Sequence, residues 1–186
     1  MTLLVVGLGN PGPKYETTRH NAGYLVVDEL VSERGDSFKL HKKTGALICE
    51  LPGMIVAKPG SFMNESGINI AKLCQFFKIT PDNVLVIHDE LDLPFGALRL
   101  KKGGSENGHN GLKSTTQYLH TKDYMRLRFG IGRPPGRMSV VDWVLHAFSK
   151  EEWEEIPILT ADCADAIKLL AQRGMAIAQN ELHKNH

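Results

Sequence analysis

Two uninterrupted apolar runs, LLVV at residues 3–6 and VLVI at residues 84–87, constrain this 186-residue chain more than any other feature. A strand with one face in water alternates apolar and polar side chains, whereas a continuous apolar run closed by glycine or charge is buried on both faces, as in the centre of a parallel sheet. Parallel neighbours require crossover connections, and helices supply them. Between the runs, Leu25, Val26 and Leu30 recur at helical spacing over residues 21–35, closing at Gly35. A second helical pattern follows Asn64, with Ile68, Ile70, Leu73 and Phe77, and stops before Pro81. Residues 46–51 and 54–57, separated by Pro52 and Gly53, predict a hairpin. Strands are expected at 97–100 and 127–131, a glycine-rich loop at 103–111 and a helix at 112–119. The region 150–182 is helical, with Ala161, Ala164, Ile167 and Leu170 on one face. The expectation is an α/β fold: a single domain over 1–186, built on a mixed, twisted β-sheet with helices packed on both faces.

Composition narrows the partners. Between residues 99 and 137 nine basic residues face only Glu106 and Asp123, a net of +7 in a chain whose formal charge is +1. An anionic partner fits that stretch. The acidic counterweight, Glu151 to Asp165, lies near the end. Cys49, Cys74 and Cys163 are odd in number and lack a C-x-x-C pair, so neither a disulfide framework nor a thiolate zinc site is expected. No basic leader precedes the first apolar run, and no segment approaches the roughly 20 apolar residues of a membrane span. A cytoplasmic protein without membrane contact is the expectation.

Gly7, Gly9 and Gly12 have the spacing of a dinucleotide-binding fingerprint. Such a loop must present backbone N–H groups at a helix opening, and Pro11 and Pro13 remove two of them. The glycines are therefore expected to shape an extended loop that holds Asn10 over a strand end, where its amide offers donors and an acceptor to an occupant. His20 falls where that loop enters the first helix, and Asp89 stands in HDELD at the end of the second apolar run. A carboxylate that accepts from one ring N–H steadies a histidine whose other nitrogen takes a proton, the arrangement needed to activate water. No H-x-x-x-H or comparable spacing marks a metal site, and no serine or cysteine has a nucleophile's context. Asn64 and Asn110 both fall at helix starts, where N-capping competes with ligand binding as their role.

The segments VGLGNPGPKYETTRHNAG, KPGSFMNESG, VLVIHDELDLPFGALRLKKGG, GHNGLKS and RLRFGIGRP closely resemble the bacterial-type peptidyl-tRNA hydrolases, in order and at sensible separations. That resemblance covers essentially the whole chain. It implies hydrolysis of the ester joining a peptide to the 3′ end of tRNA, by a monomer using neither metal nor cofactor, with peptidyl-tRNA as partner. It also implies that His20 is the general base, that Asp89 supports it, and that Asn10 distinguishes a blocked amino group from a free one. Tyr15, Phe62, Met63, Asn64, His109 and Asn110 are expected to bind the tRNA end and the peptide. Lys101 and Arg128 match positions expected to meet tRNA phosphates. One departure stands out: after Gly103 and Gly104 the chain has Ser105, Glu106 and Asn107 where the family usually continues with glycine. Residues 134–148, RPPGRMSVVDWVLHAF without its first residue, are expected to cover the cleft as a lid.

Overall fold

The computed structural model describes all of residues 1–186. Its frame is a seven-stranded sheet in the order β2-β3-β4-β1-β5-β7-β6. The strands are β1 (Leu3–Gly7), β2 (Lys39–Leu40), β3 (Leu47–Leu51), β4 (Met54–Lys58), β5 (Val84–Glu90), β6 (Leu98–Lys102) and β7 (Met125–Gly130). The four central strands β4, β1, β5 and β7 run parallel, and the antiparallel members β3 and β6 flank them. Both apolar runs are where two-sided burial demands: β1 and β5 are adjacent, Val5 is opposite Leu85, and every residue of both strands is buried. The short edge strand β2 escapes the sequence pattern because its two residues are exposed.

Alternation along β1 divides the core. Leu3 and Val5 point to one face, where α1 (Ala22–Ser32), α5 (Lys150–Arg173) and α6 (Met175–Asn185) cover a cluster of 29 buried residues. Leu4, Val6 and Leu8 point to the other face, covered by α2 (Ser66–Phe77) and α3 (Asn110–Leu119). Helix α4 (Val140–Val144) adds Val144 to the first cluster and borders the turn at residues 19–21. The last helical region is two helices, because Gly174 adopts φ 89° and ψ 175° between them. Helix α1 sits unusually close to the sheet. A Cβ at Gly23 would lie 2.5 Å from the Leu8 nitrogen and against the Ile87 carbonyl. This backbone contact explains why glycine is needed on the helix, and the first glycine of the loop, Gly7, meets Gly23 from the other side. No helix opens after Gly12; a 3₁₀ turn at Pro13–Tyr15 and an extended path lead to a second turn at Arg19–Asn21.

Candidate active site

The parallel strands end on one side of the molecule, and a cleft of about 550 Å³ opens there. Its floor holds Asn10, His20, Asp89 and His109. Strand β5 runs on to Glu90, so Asp89 sits within the strand rather than beyond it, and its carboxylate is held by the sheet itself. The 3₁₀ turn before α1 carries His20. That turn is buried throughout and tied by the Arg19 N–H to the carbonyl of His146 at 3.0 Å.

Three side chains form one array. His20 Nδ1 lies 2.8 Å from Asp89 Oδ2, and His109 Nε2 lies 2.7 Å from Asp89 Oδ1. The proton positions follow from a helix end. His109 is the N-cap of α3, and its Nδ1 accepts from the backbone N–H groups of Gly111 at 3.0 Å and Leu112 at 3.3 Å. A neutral imidazole has a single N–H, so the proton of His109 is on Nε2 and is donated to Asp89. His20 donates its Nδ1–H to the other carboxylate oxygen, which leaves its Nε2 facing the cleft with a free lone pair. Burial by itself disfavours protonated His20, but the Asp89 charge and hydrogen bond outweigh it and raise its pKa above the ordinary 6.5. Burial pushes Asp89 the other way, and the two histidines overcome it and hold the carboxyl well below the usual range.

His88, one residue before Asp89, is fully buried; desolvation and the neighbouring His109 lower its pKa to about 3. Its Nδ1 bonds the Asp89 carbonyl at 2.8 Å. It is neutral structural material beside the array, a role that its place after an apolar run foreshadows.

Asn10 is held twice. Its backbone N–H donates to Asn21 Oδ1 at 2.9 Å, and Asn21 Nδ2 donates back to the Asn10 carbonyl at 3.0 Å. The Asn10 side-chain Oδ1 accepts the Met63 backbone N–H at 2.8 Å. That bond fixes which way the amide points, with Oδ1 on the Met63 N–H and Nδ2 as its donor end. Asn21 was not among the residues that sequence reasoning selected; only its place directly after His20 signalled it.

Phe62 is 54% exposed at the cleft rim, and Tyr15 packs against it edge-on, with ring centroids 6.4 Å apart. Met63 is buried in the wall. Asn64 and Asn110 are both exposed and line the cleft. Neither caps a helix: α2 has no side-chain cap, and the cap of α3 is His109. Glu106 and Asn107, from the segment that departs from the glycine pattern, also line the cleft.

The basic stretch is less uniform than its charge suggests. Register places Lys101 opposite Arg126 and Arg99 opposite Arg128. These four side chains therefore share the face of β6–β7 away from the Leu98, Leu127 and Phe129 core. Arg126 is fully buried and donates to the carbonyls of Gly104, Ser105 and Lys122, so it organises the loop rather than offering charge to a partner. Arg128 is paired with Glu90 at 2.9 Å and its side chain is only 19% exposed. Lys101 is part-buried, and burial with the nearby Arg128 and Arg126 lowers its pKa.

Residues 134–148 form a wall of the cleft. Val140, Val141 and Leu145 stand exposed over it. The wall is fastened to the turn carrying His20 by a β-bridge between Thr18 and Ala147, and by Arg19, whose guanidinium lies 3.6 Å from the Trp143 ring centroid and pairs with Glu152.

Known proteins resemble the chain in sequence and fold. The family model described as peptidyl-tRNA hydrolase matches residues 4–186. Peptidyl-tRNA hydrolase 1 of Corynebacterium glutamicum is 58% identical over 172 residues, 92% of this chain and 97% of that protein. The peptidyl-tRNA hydrolase of Nocardia farcinica is 55% identical over 184 residues, 97% and 95% of the two chains. A crystal structure of the Acinetobacter baumannii peptidyl-tRNA hydrolase superposes with a TM-score of 0.91 at 34% identity, covering 99% of this chain and 95% of that one. By sequence over its whole length and by fold, the chain belongs to the peptidyl-tRNA hydrolase family.

Proposed function

We propose that the chain hydrolyses peptidyl-tRNA by general-base catalysis, with His20 Nε2 taking the proton of a water that attacks the ester carbonyl joining peptide and terminal ribose. The observation that carries this reading is the His20–Asp89–His109 array, in which one unpaired imidazole nitrogen faces the cleft. Asp89 orients His20 in the tautomer with a free Nε2 and steadies the imidazolium formed when the proton arrives. His109 keeps the second carboxylate oxygen occupied, so Asp89 presents a single acceptor to His20. Esters of this kind leave with a ribose hydroxyl, and the His20 proton can return to that oxygen. Positioned general bases contribute typically about 10²- to 10⁴-fold.

Asn10 supplies selectivity. Because its Oδ1 holds the Met63 N–H, the amide is oriented with its Nδ2 donor as the end offered to the substrate. A donor suits the first peptide carbonyl of a blocked substrate and repels the ammonium of a free aminoacyl ester. Asn64 and Asn110 extend the same amide lining, while Phe62 and Tyr15 offer an aromatic rim for the unpaired tRNA end. Lys101 is the better placed of the two basic residues for phosphate contact, with Arg128 acting through the Glu90 pair. All these side chains come from one chain, so a monomer suffices. No helix is long and apolar enough to cross a membrane.

Metal-independent chemistry is part of the proposal. One donor atom from each of His20, Asp89 and His109 lies within 4.8 Å of the others, a cluster the sequence spacing did not suggest. The nitrogens aimed at Asp89 carry protons, however, and His109 cannot yield its Nε2 lone pair while Nδ1 caps α3. The test is incubation with N-acetyl-aminoacyl-tRNA and with its unblocked counterpart, each with and without chelator. Release from the blocked ester alone, unaffected by chelator and reduced at least 100-fold in kcat by His20→Ala, is expected. Near-normal turnover of that variant would refute the assignment.

A further inference from the structure

Away from the cleft, at the β2 edge of the sheet, a half-exposed aromatic side chain stands among unpaired lysines. Phe76, in the last turn of α2, is 46% exposed. It is not a loose surface residue: His41 packs against it with centroids 4.5 Å apart at 74°, and Phe77 at 4.8 Å and 76°. Two rings thus brace a third that remains open to solvent. Lys72 precedes Phe76 by one helical turn, Lys78 follows in the left-handed C-cap, and Lys42 and Lys43 lie in the turn beside His41. All four lysines are exposed. The ion pairs formed by lysines elsewhere in the chain involve Lys58, Lys102, Lys122 and Lys168, and none of these four.

The sign of the surface is consistent over the surrounding segments. Residues 38–49 and 66–80 contain no Asp or Glu at all. Glu65 sits at the opposite end of α2, Asp82 just beyond residue 80 is paired with Lys102, and Asp36 and Glu50 share a shallow hollow with Lys39 at the other side of the edge, so Lys39 is not counted in the patch. The acidic residues gather on the other helical layer, where α5 alone carries Glu151, Glu152, Glu154, Glu155, Asp162 and Asp165.

We propose that this edge docks an unpaired RNA segment distinct from the tRNA being hydrolysed, with one base stacked on Phe76 and neighbouring phosphates met by Lys42, Lys43, Lys72 and Lys78. A braced aromatic side chain flanked by exposed lysines, in segments that carry no carboxylate, is the combination that holds single strands: stacking accepts any base and the cations follow the backbone. A folded duplex hides its base faces and gains only the charge term. The strand order separates this RNA from the substrate, because β2 and the basic strands β6 and β7 occupy opposite ends of the sheet. The assignment stands on this surface and does not depend on the mechanism proposed for the cleft.

Fluorescence anisotropy with a labelled oligouridine tests it on the full chain. Binding that weakens as salt rises is expected, and competing duplex RNA should displace the oligomer poorly. Phe76→Leu and the double variant Lys42→Glu, Lys43→Glu should each weaken binding about tenfold, while Phe76→Trp retains it. Turnover of N-acetyl-aminoacyl-tRNA should be unchanged in all three. Oligouridine binding that is indifferent to these variants overturns the proposal. So does a raised KM for intact tRNA substrate in the Phe76→Leu protein, which would assign the patch to the substrate's own body. Loss of binding to phosphatidylglycerol vesicles in the variants, with no oligouridine binding by the parent chain, would assign it to a lipid surface instead.

Discussion

Replacing Asp89 by asparagine changes only the donor and acceptor pattern at the centre of the array, and the structure specifies the outcome. The carboxylate accepts two N–H groups, from His20 Nδ1 at 2.8 Å and His109 Nε2 at 2.7 Å. An amide has one acceptor oxygen and one donor nitrogen. His109 cannot change tautomer while its Nδ1 caps α3, so the asparagine oxygen must turn to it. The amide N–H₂ then faces His20 Nδ1 and forces the ring proton onto Nε2, the atom required to be free. A catalytic histidine locked in the wrong tautomer loses about 10⁴ in kcat in the serine proteases, and general-base assistance as a whole is worth about 10² to 10⁴. The expected fall in kcat for Asp89→Asn is therefore in that range, with KM little changed. Asp89→Ala, which leaves His20 free to choose either tautomer, should retain more kcat than Asp89→Asn. The pH dependence sharpens the test. In the parent protein the rate declines as pH falls through the His20 pKa, which lies above 6.5. Without the carboxylate only burial acts on His20, so the acid limb should move to lower pH in both variants. Steady-state kinetics on N-acetyl-aminoacyl-tRNA across the pH range measures both quantities. An asparagine variant within threefold of the parent, or one more active than the alanine variant, would show that the tautomer argument is wrong.

Asn21→Ala removes both hydrogen bonds that clamp the Asn10 backbone. It should cost about 1–3 kcal/mol for each group left unpaired and reduce kcat/KM at least tenfold, read by thermal melts and kinetics. Gly23→Ala inserts a Cβ 2.5 Å from the Leu8 nitrogen. Differential scanning calorimetry should show a loss of about 1–3 kcal/mol or more, or roughly 3–10 °C in Tm; an unchanged Tm would deny the close backbone contact. His88 is held neutral with its pKa lowered to about 3 from 6.5, so the unfolded state alone binds its proton between those values and stability should fall as pH drops through that window. His20, with its pKa raised, works in the opposite direction: its contribution is complete below 6.5 and fades as pH rises through the folded value. A His88→Gln protein should lose less Tm between neutral and mildly acidic pH than the parent.

The two apolar runs mark β1 and β5 as strands buried on both faces, but their adjacency in the sheet is visible only in the structure, because two-sided burial suits any interior position. Asp89 was legible because it follows closely on the second apolar run, and His20 because it falls where the loop after β1 enters the first helix. Asn21 was not, because a residue that acts by holding another's backbone has no chemistry of its own to announce. The N-cap role of His109 and the failure of Asn64 and Asn110 to cap likewise depend on where a helix begins to within one residue, which periodicity does not resolve. Nor does a count of charges show that Arg126 is consumed by three carbonyls or that Arg128 is paired with Glu90. Those distinctions exist only once the strands are in register. The break at Gly174 is legible as a glycine within a helical pattern, but its dihedral angles are what divide α5 from α6.

The bridge between Thr18 and Ala147 gives the cleft one more property. The wall that would contact the peptide's side chains and the turn that carries the base are joined by a few backbone hydrogen bonds and the Arg19 stack on Trp143. Substrate size and base orientation are then not independent variables. A series of N-acetyl-aminoacyl esters graded in bulk should show its differences in turnover as well as in saturation, and severing the Arg19–Trp143 contact should restore the two to separate control.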